Sequence, residues 1–162
     1  MNGDAKIIHV DPGEGTAFSA VGDVYRVLAS GQQTGGTYSL SEIRVSPNNG
    51  PPPHVHSRED ESFFVVEGEI TFRIGDEKIV ARPGTFILGP RGVAHTFKNT
   101  GQSPARMLVL VMPPGFENFV NEFAQPVPSF DSPAIPVSQN EIDKLLAAAP
   151  NYGVQILPQP ST

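Results

Sequence analysis

Apolar positions in this chain come in short, alternating runs, and turn-forming residues separate them. Residues 24–28 read as a short strand. Residues 37–45 alternate, with Tyr38, Leu40 and Glu42 on one face and Ser39, Ser41 and Ile43 on the other. Residues 63–66 are apolar and are broken by Glu67-Gly68. Residues 70–74 follow and run into Gly75-Asp76, a tight-hairpin signal. Residues 78–81, a Pro83-Gly84 turn, residues 85–88, a turn over 89–92, residues 93–97 and residues 107–112 complete the series. The segment up to about residue 20 is polar and weakly patterned, an arm or an edge strand, and residues 31–36 read as a loop. Seventeen prolines and sixteen glycines fall mostly between the apolar runs, the punctuation of many short strands. The pattern predicts an all-β antiparallel sandwich or barrel.

The period changes after Pro113-Pro114-Gly115. Phe116, Phe119, Val120 and Phe123 lie at i, i+3, i+4 and i+7, which predicts an amphipathic helix. Such a helix either packs on the outside of the barrel or covers one of its mouths. Residues 125–137 form a proline-rich linker. Ser138-Gln-Asn-Glu141 has the spacing of a capping box, and Ile142, Leu145, Leu146 and Ala149 form the apolar face of a second helix. Residues 154–157 can return as a last short strand. At 162 residues the chain is expected to be one domain, with a barrel over about 20–113 and a helical extension over about 115–162.

Composition narrows the function classes. The net charge is −6 and there is no basic stripe, which argues against nucleic acid as a partner. No cysteine is present, so disulfides, thiolate zinc sites and iron–sulfur clusters are excluded. The first six residues lack the apolar core of a signal peptide, and no apolar run is long enough to span a bilayer. The expectation is a cytoplasmic protein without a membrane partner.

Three of the four histidines fall into two short segments. His54 and His56, two apart on a strand, face the same way and can reach one cation. Glu61 and His95 would complete four protein ligands. Glu59 and Asp60 are rival carboxylates; Glu61 is favoured because it opens an apolar strand, whereas the other two sit in a polar link. The odd separation of His56 and Glu61 requires a turn or bulge over residues 57–60 to bring both to one side. Three imidazoles and a carboxylate suit one divalent transition metal (Fe, Mn, Co, Ni, Cu or Zn) and do not suit Ca or Mg. Octahedral coordination would leave two positions open for chemistry. Phe97, on the same face as His95, would project near the metal. His9 has no assigned role.

These two segments resemble the two motifs of the cupin superfamily. The first, G-x5-H-x-H-x3,4-E-x6-G, is matched by His54, His56, Glu61 and Gly68, with Asn48 where the leading glycine belongs and Gly50 shifted inward. The second, G-x5-P-x-G-x2-H-x3-N, is matched throughout by Gly84, Pro90, Gly92, His95 and Asn99. The resemblance implies an antiparallel jelly-roll β-barrel with one or two C-terminal helices. It also implies a metal held by His54, His56, Glu61 and His95, a small-molecule substrate or ligand and, commonly, a homodimer. The run from Pro52 to Glu69, with Pro114-Gly-Phe116 and a terminal helix, looks most like single-domain cupins related to quercetin dioxygenase. That likeness implies a dioxygenase acting on an aromatic or enolisable compound. In it Glu61 would take the substrate's hydroxyl proton, and Phe63 and Phe97 would form an apolar wall. A metal-dependent isomerase or hydrolase, and a non-catalytic binding module, are the competing classes.

Overall fold

Side-chain alternation along the strands decides which residues point inward, and two sheets share the result. The computed structural model describes residues 7–158. Its strands are β1 (Ala17–Ala20), β2 (Asp23–Ala29), β3 (Ser39–Val45), β4 (His54–His56), β5 (Asp60–Glu67), β6 (Ile70–Ile74), β7 (Glu77–Ala81), β8 (Phe86–Gly89), β9 (His95–Asn99) and β10 (Ala105–Met112). Helix α1 (Phe116–Phe123), strand β11 (Gln125–Pro126), helix α2 (Gln139–Ala148), a 3-10 turn (Ala149–Tyr152) and strand β12 (Val154–Ile156) follow. One sheet runs β11-β1-β2-β3-β10-β5-β8 and the other β12-β4-β9-β6-β7, with antiparallel pairing in both. This is the all-β jelly roll that the pattern and the resemblance led one to expect. Among the described residues no helix is long and apolar enough to cross a membrane.

Inward residues of both sheets form the core. Ile43, Phe63, Val65, Met107 and Val109 from the larger sheet meet Ile70, Phe72 and Phe97 from the smaller one. Phe63 lies 5.0 Å from Phe72 and 6.0 Å from Phe97 between ring centroids, so aromatic contacts close the gap between the sheets.

The arm-or-edge segment contains β1, which is paired on both sides, by β2 and by the two-residue β11; residues 1–6 of that segment lie outside the described residues. The polar link was expected to be a turn or bulge. Instead, residues 57–59 carry the chain from β4 in the five-stranded sheet to β5 in the seven-stranded sheet. Parity is reset because the chain changes sheets, and each strand then presents its own inward face.

The connection ahead of β4 is held tightly. Asn49 O accepts a hydrogen bond from Asn99 N at 2.9 Å, and a Cβ built on Gly50 would lie 1.9 Å from the Phe97 carbonyl oxygen. Only glycine can approach a backbone this closely. Asn99 organises the far end of β9, donating through Nδ2 to the Val45 and Ser103 carbonyls and accepting from Gly101 N.

The C-terminal part departs from its sequence pattern in two places. Ser138 caps α2 by accepting from Glu141 N at 3.2 Å, but the Glu141 carboxylate does not complete the box. It is buried and accepts from Val21 N at 2.6 Å, tying α2 to the β1–β2 turn. Leu146, expected on the apolar face of α2, is half exposed, and Ala148 is buried in its stead. The helix seats on Glu141, Leu145 and Ala148, so the face that packs is rotated from the one the hydrophobic spacing suggested.

Gly50→Ala is expected to lower the unfolding free energy by about 3 kcal/mol, the upper end for overpacking, as read by urea denaturation. An unchanged midpoint would show that the 46–53 connection can retreat from β9.

Candidate metal centre

β4 and β9 bring His54 and His95 directly opposite each other. His56 shares the inward face of β4, and Glu61 reaches in from β5 of the facing sheet. All four side chains are buried, and one ligand atom from each lies within 4.8 Å of all the others. The imidazole centroids are 4.5 Å apart for His54 and His95, 5.1 Å for His54 and His56, and 5.5 Å for His56 and His95. Glu61 Oε2 is 2.9 Å from His95 Nε2 and 3.4 Å from His56 Nε2.

The outer nitrogens are spoken for. His54 Nδ1 lies 2.9 Å from the Pro52 carbonyl oxygen and His95 Nδ1 lies 3.1 Å from that of Val93. A carbonyl can only accept, so each Nδ1 carries the proton, which leaves Nε2 as a lone pair in a neutral ring. Such a lone pair would face the Glu61 carboxylate at His95 with nothing favourable between them unless a cation or a proton is supplied. Both ring nitrogens of His56 are buried without a hydrogen-bond partner, a cost of about 1–3 kcal/mol per group. A transition-metal ion at the centre would satisfy the inward-facing Nε2 atoms, with His56 Nδ1 left toward Glu59, and the N3O donor set fits one.

The two rival carboxylates separate cleanly. Asp60 turns outward and pairs with Arg91, whose Nη2 is 2.8 Å from Asp60 Oδ2; that hydrogen bond holds the Asp60 carboxyl at about 2. Glu59 is buried, with Oε2 at 3.4 Å from His56 Nδ1. It stands behind His56, where a carboxylate can orient a metal-bound imidazole. Nothing in the spacing distinguishes that role from direct ligation.

Electrostatics follow from burial. Desolvation, helped by the nearby His95, lowers the His54 pKa to about 4. Burial would raise Glu61, but His56, and then His95, outweigh it and hold the carboxyl at about 2. Burial would lower His56; the Glu59 and Glu61 carboxylates outweigh it and the net shift is upward.

A cavity of about 50 Å³ adjoins the cluster and is lined by Tyr25, His54, Glu61, Phe97, Phe116 and Phe119, among others. Helix α1 therefore covers the barrel mouth beside the cluster, with the Phe116 ring centroid 5.4 Å from that of His56. Of the two placements open to that helix, the structure has the second. Phe97 lines the cavity, whereas Phe63 lies behind His95, ring centroids 6.0 Å apart, within the core. Tyr25 on β2 is a lining residue that the sequence did not point to; its inward position comes from pairing opposite Ile43.

Residues 41–111 match the family model of the cupin domain. This matched segment, less than half of the chain, is similar to the cupin domain. A probable germin-like protein (subfamily 2 member 5) of Arabidopsis thaliana is 39% identical over 75 residues, which cover 43% of this chain and 35% of the relative. The chain spans about a third of the length of the curated relatives it matches. Among solved structures, a predicted oxalate decarboxylase from Thermotoga maritima superposes with a TM-score of 0.60 at 15% identity, covering 67% of this chain and 99% of that one, a likeness of fold. A recombinant oxalate oxidase in complex with glycolate superposes with a TM-score of 0.51 at 26% identity, covering 59% of this chain and 54% of that one. The matched cupin segment contains all four clustered side chains as well as Glu59; Tyr25 and the α1 phenylalanines lie outside it.

Two outcomes are expected at this centre. Glu59→Gln should leave the protein folded but weaken metal binding about 10–100-fold, measured by competition with a chromogenic chelator; unchanged affinity would remove Glu59 from the site. In metal-free protein, His54 has a lower pKa folded than its ordinary 6.5. The unfolded chain therefore takes up that proton first as pH falls. The His54 contribution is present above 6.5 and is lost toward pH 4, amounting to about 3 kcal/mol at most. His56, shifted upward, works in the opposite sense. Urea denaturation between pH 7 and pH 4.5 should show a flatter profile for His54→Gln than for the wild type.

Proposed function

We propose that this protein is a metal-dependent oxidoreductase acting on a small, oxygen-rich substrate, of the dioxygenase type that attacks enolisable compounds. The observation that carries this reading is the buried cluster of three imidazoles and a carboxylate beside an apolar, covered cavity. His54, His56, Glu61 and His95 would hold one divalent ion. When bound, such an ion supplies Lewis acidity and, if redox-active, a route for electrons to dioxygen.

The chain's own residues supply the rest. Glu61 is ionised at neutral pH and would accept the proton of a substrate hydroxyl or enol at its carboxylate. Tyr25 contributes a hydroxyl-bearing ring to the cavity wall and would orient the substrate's oxygen atoms. Phe97, Phe116 and Phe119 give the same space an apolar wall that would limit the access of water.

The cavity beside the cluster, about 50 Å³ with α1 in place, favours a small hydroxy acid or diketone over a flavonol. The likeness to an oxalate oxidase that binds glycolate supports a substrate of this size.

The test is an oxygen-electrode screen of the purified protein, loaded in turn with Fe, Mn, Co, Ni and Cu, against glycolate, oxalate, acetylacetone, catechol and a flavonol. Oxygen uptake is expected with one of the small compounds and not with the flavonol. Loss of that uptake in Glu61→Gln, with metal content followed in parallel, would tie it to the cluster. Ligand binding without uptake under any metal would mark a non-catalytic binding module and overturn the reading.

A further inference from the structure

The outer face of the five-stranded sheet carries a groove of about 370 Å³ lined by Arg73, Lys78 and Lys98, with Thr71 and Thr96 between them and Pro51 and Pro53 along one wall. Register produces this cluster. Arg73 stands directly opposite Lys78 across β6 and β7, and Lys98 stands opposite Thr71 across β6 and β9, one diagonal step from Arg73. All three cations are exposed, and no carboxylate lines the groove.

Two features set the groove apart from an ordinary solvated face. The chain has a net charge of −6, with seventeen acidic residues to choose partners from. Arg26, Arg82, Arg91 and Arg106 each take one. Among the described residues, Arg44, Arg58, Lys144, Arg73, Lys78 and Lys98 form no ion pair; Arg44 and Arg58 donate to backbone carbonyls instead, whereas Arg73, Lys78 and Lys98 share one groove. Moreover, like charges directly opposed on antiparallel strands destabilise the sheet. A pair that costs stability, left uncompensated at a concavity in an acidic protein, has the properties of a site whose compensating charge arrives from outside.

We infer that this groove binds a small ligand bearing a phosphate group. The Arg73 guanidinium offers a planar fork of donors, the Lys78 and Lys98 ammonium groups add two point charges, and the Thr71 hydroxyl makes no side-chain hydrogen bond among the described residues. The strands that carry them, β7, β6 and β9, are neighbours, which places the donors around one groove. The Thr96 hydroxyl donates to the Pro51 carbonyl at 2.7 Å, which ties the groove wall to the sheet floor. Pro51 and Phe97 line both this groove and the interior cavity. The two sites therefore share a wall while using different side chains, and this inference does not depend on the proposed chemistry of the cluster.

The experiment is calorimetric titration of the full chain with inorganic pyrophosphate, alongside citrate, at several salt concentrations. Saturable pyrophosphate binding that weakens with salt is expected. Arg73→Gln combined with Lys98→Gln should weaken it about tenfold or more, while Lys144→Gln, a cation on α2 outside the groove, should not change it. Without ligand, Arg73→Gln should melt above the wild type, and pyrophosphate should raise the melting temperature of the wild type but not of the double variant. Absence of saturable binding would overturn the proposal, as would binding that survives the double variant, because the anion would then sit elsewhere, such as at the metal cluster. Citrate binding as tightly as pyrophosphate would overturn the phosphate assignment.

Discussion

Burying four ionisable side chains inside an apolar β-sandwich is the constraint on which the rest of this structure depends. Three imidazoles and a carboxylate lose their hydration between the two sheets. Isolated buried charge is expensive and buried unpaired polar atoms are scarcely less so. Their mutual approach, with Glu61 Oε2 at 2.9 Å from His95 Nε2, compensates only part of this. His56 still has both ring nitrogens without a hydrogen bond. A central cation would take the inward donors, His56 Nε2 and the Glu61 carboxylate among them, while His56 Nδ1 is left toward Glu59; for that reason the cluster reads as a candidate metal centre and not as a chance meeting of core histidines.

The framework around the cluster makes its geometry stiff. His54 is fixed from behind by the Pro52 carbonyl, and the chain entering β4 is pinned where Gly50 meets the Phe97 carbonyl. β12 pairs along the whole of β4, from Val154 opposite His56 to Ile156 opposite His54. The C-terminal segment thus closes the edge beside two of the four clustered residues, while α1 covers the mouth. The helical extension belongs to the construction of the site as well as to the outside of the barrel.

Charge is distributed with the same economy on the outside. Glu42 is almost fully buried between Arg26 and Arg106, across β2, β3 and β10, so two cations of the larger sheet share one carboxylate. The smaller sheet leaves Arg73, Lys78 and Lys98 together with no acidic residue in their groove. The contrast lies in cross-strand register and has no trace in overall composition, whose negative sign points the other way.

Local pattern was enough to read most of this protein. Alternation and turn residues located the strands, the i, i+3, i+4, i+7 phenylalanines and valine located α1, and the spacing of His54, His56, Glu61 and His95 named the side chains that the fold gathers. These features are legible because they depend on periods of a few residues. Tertiary structure alone decided the matters that depend on distant partners. It made residues 57–59 a crossing between sheets, set Glu59 behind His56 and Asp60 on Arg91, turned the Glu141 carboxylate to Val21, rotated Leu146 outward, and laid α1 over the mouth. Each of these outcomes is fixed by which surface an element meets, and a residue's neighbours along the chain carry no information about that surface.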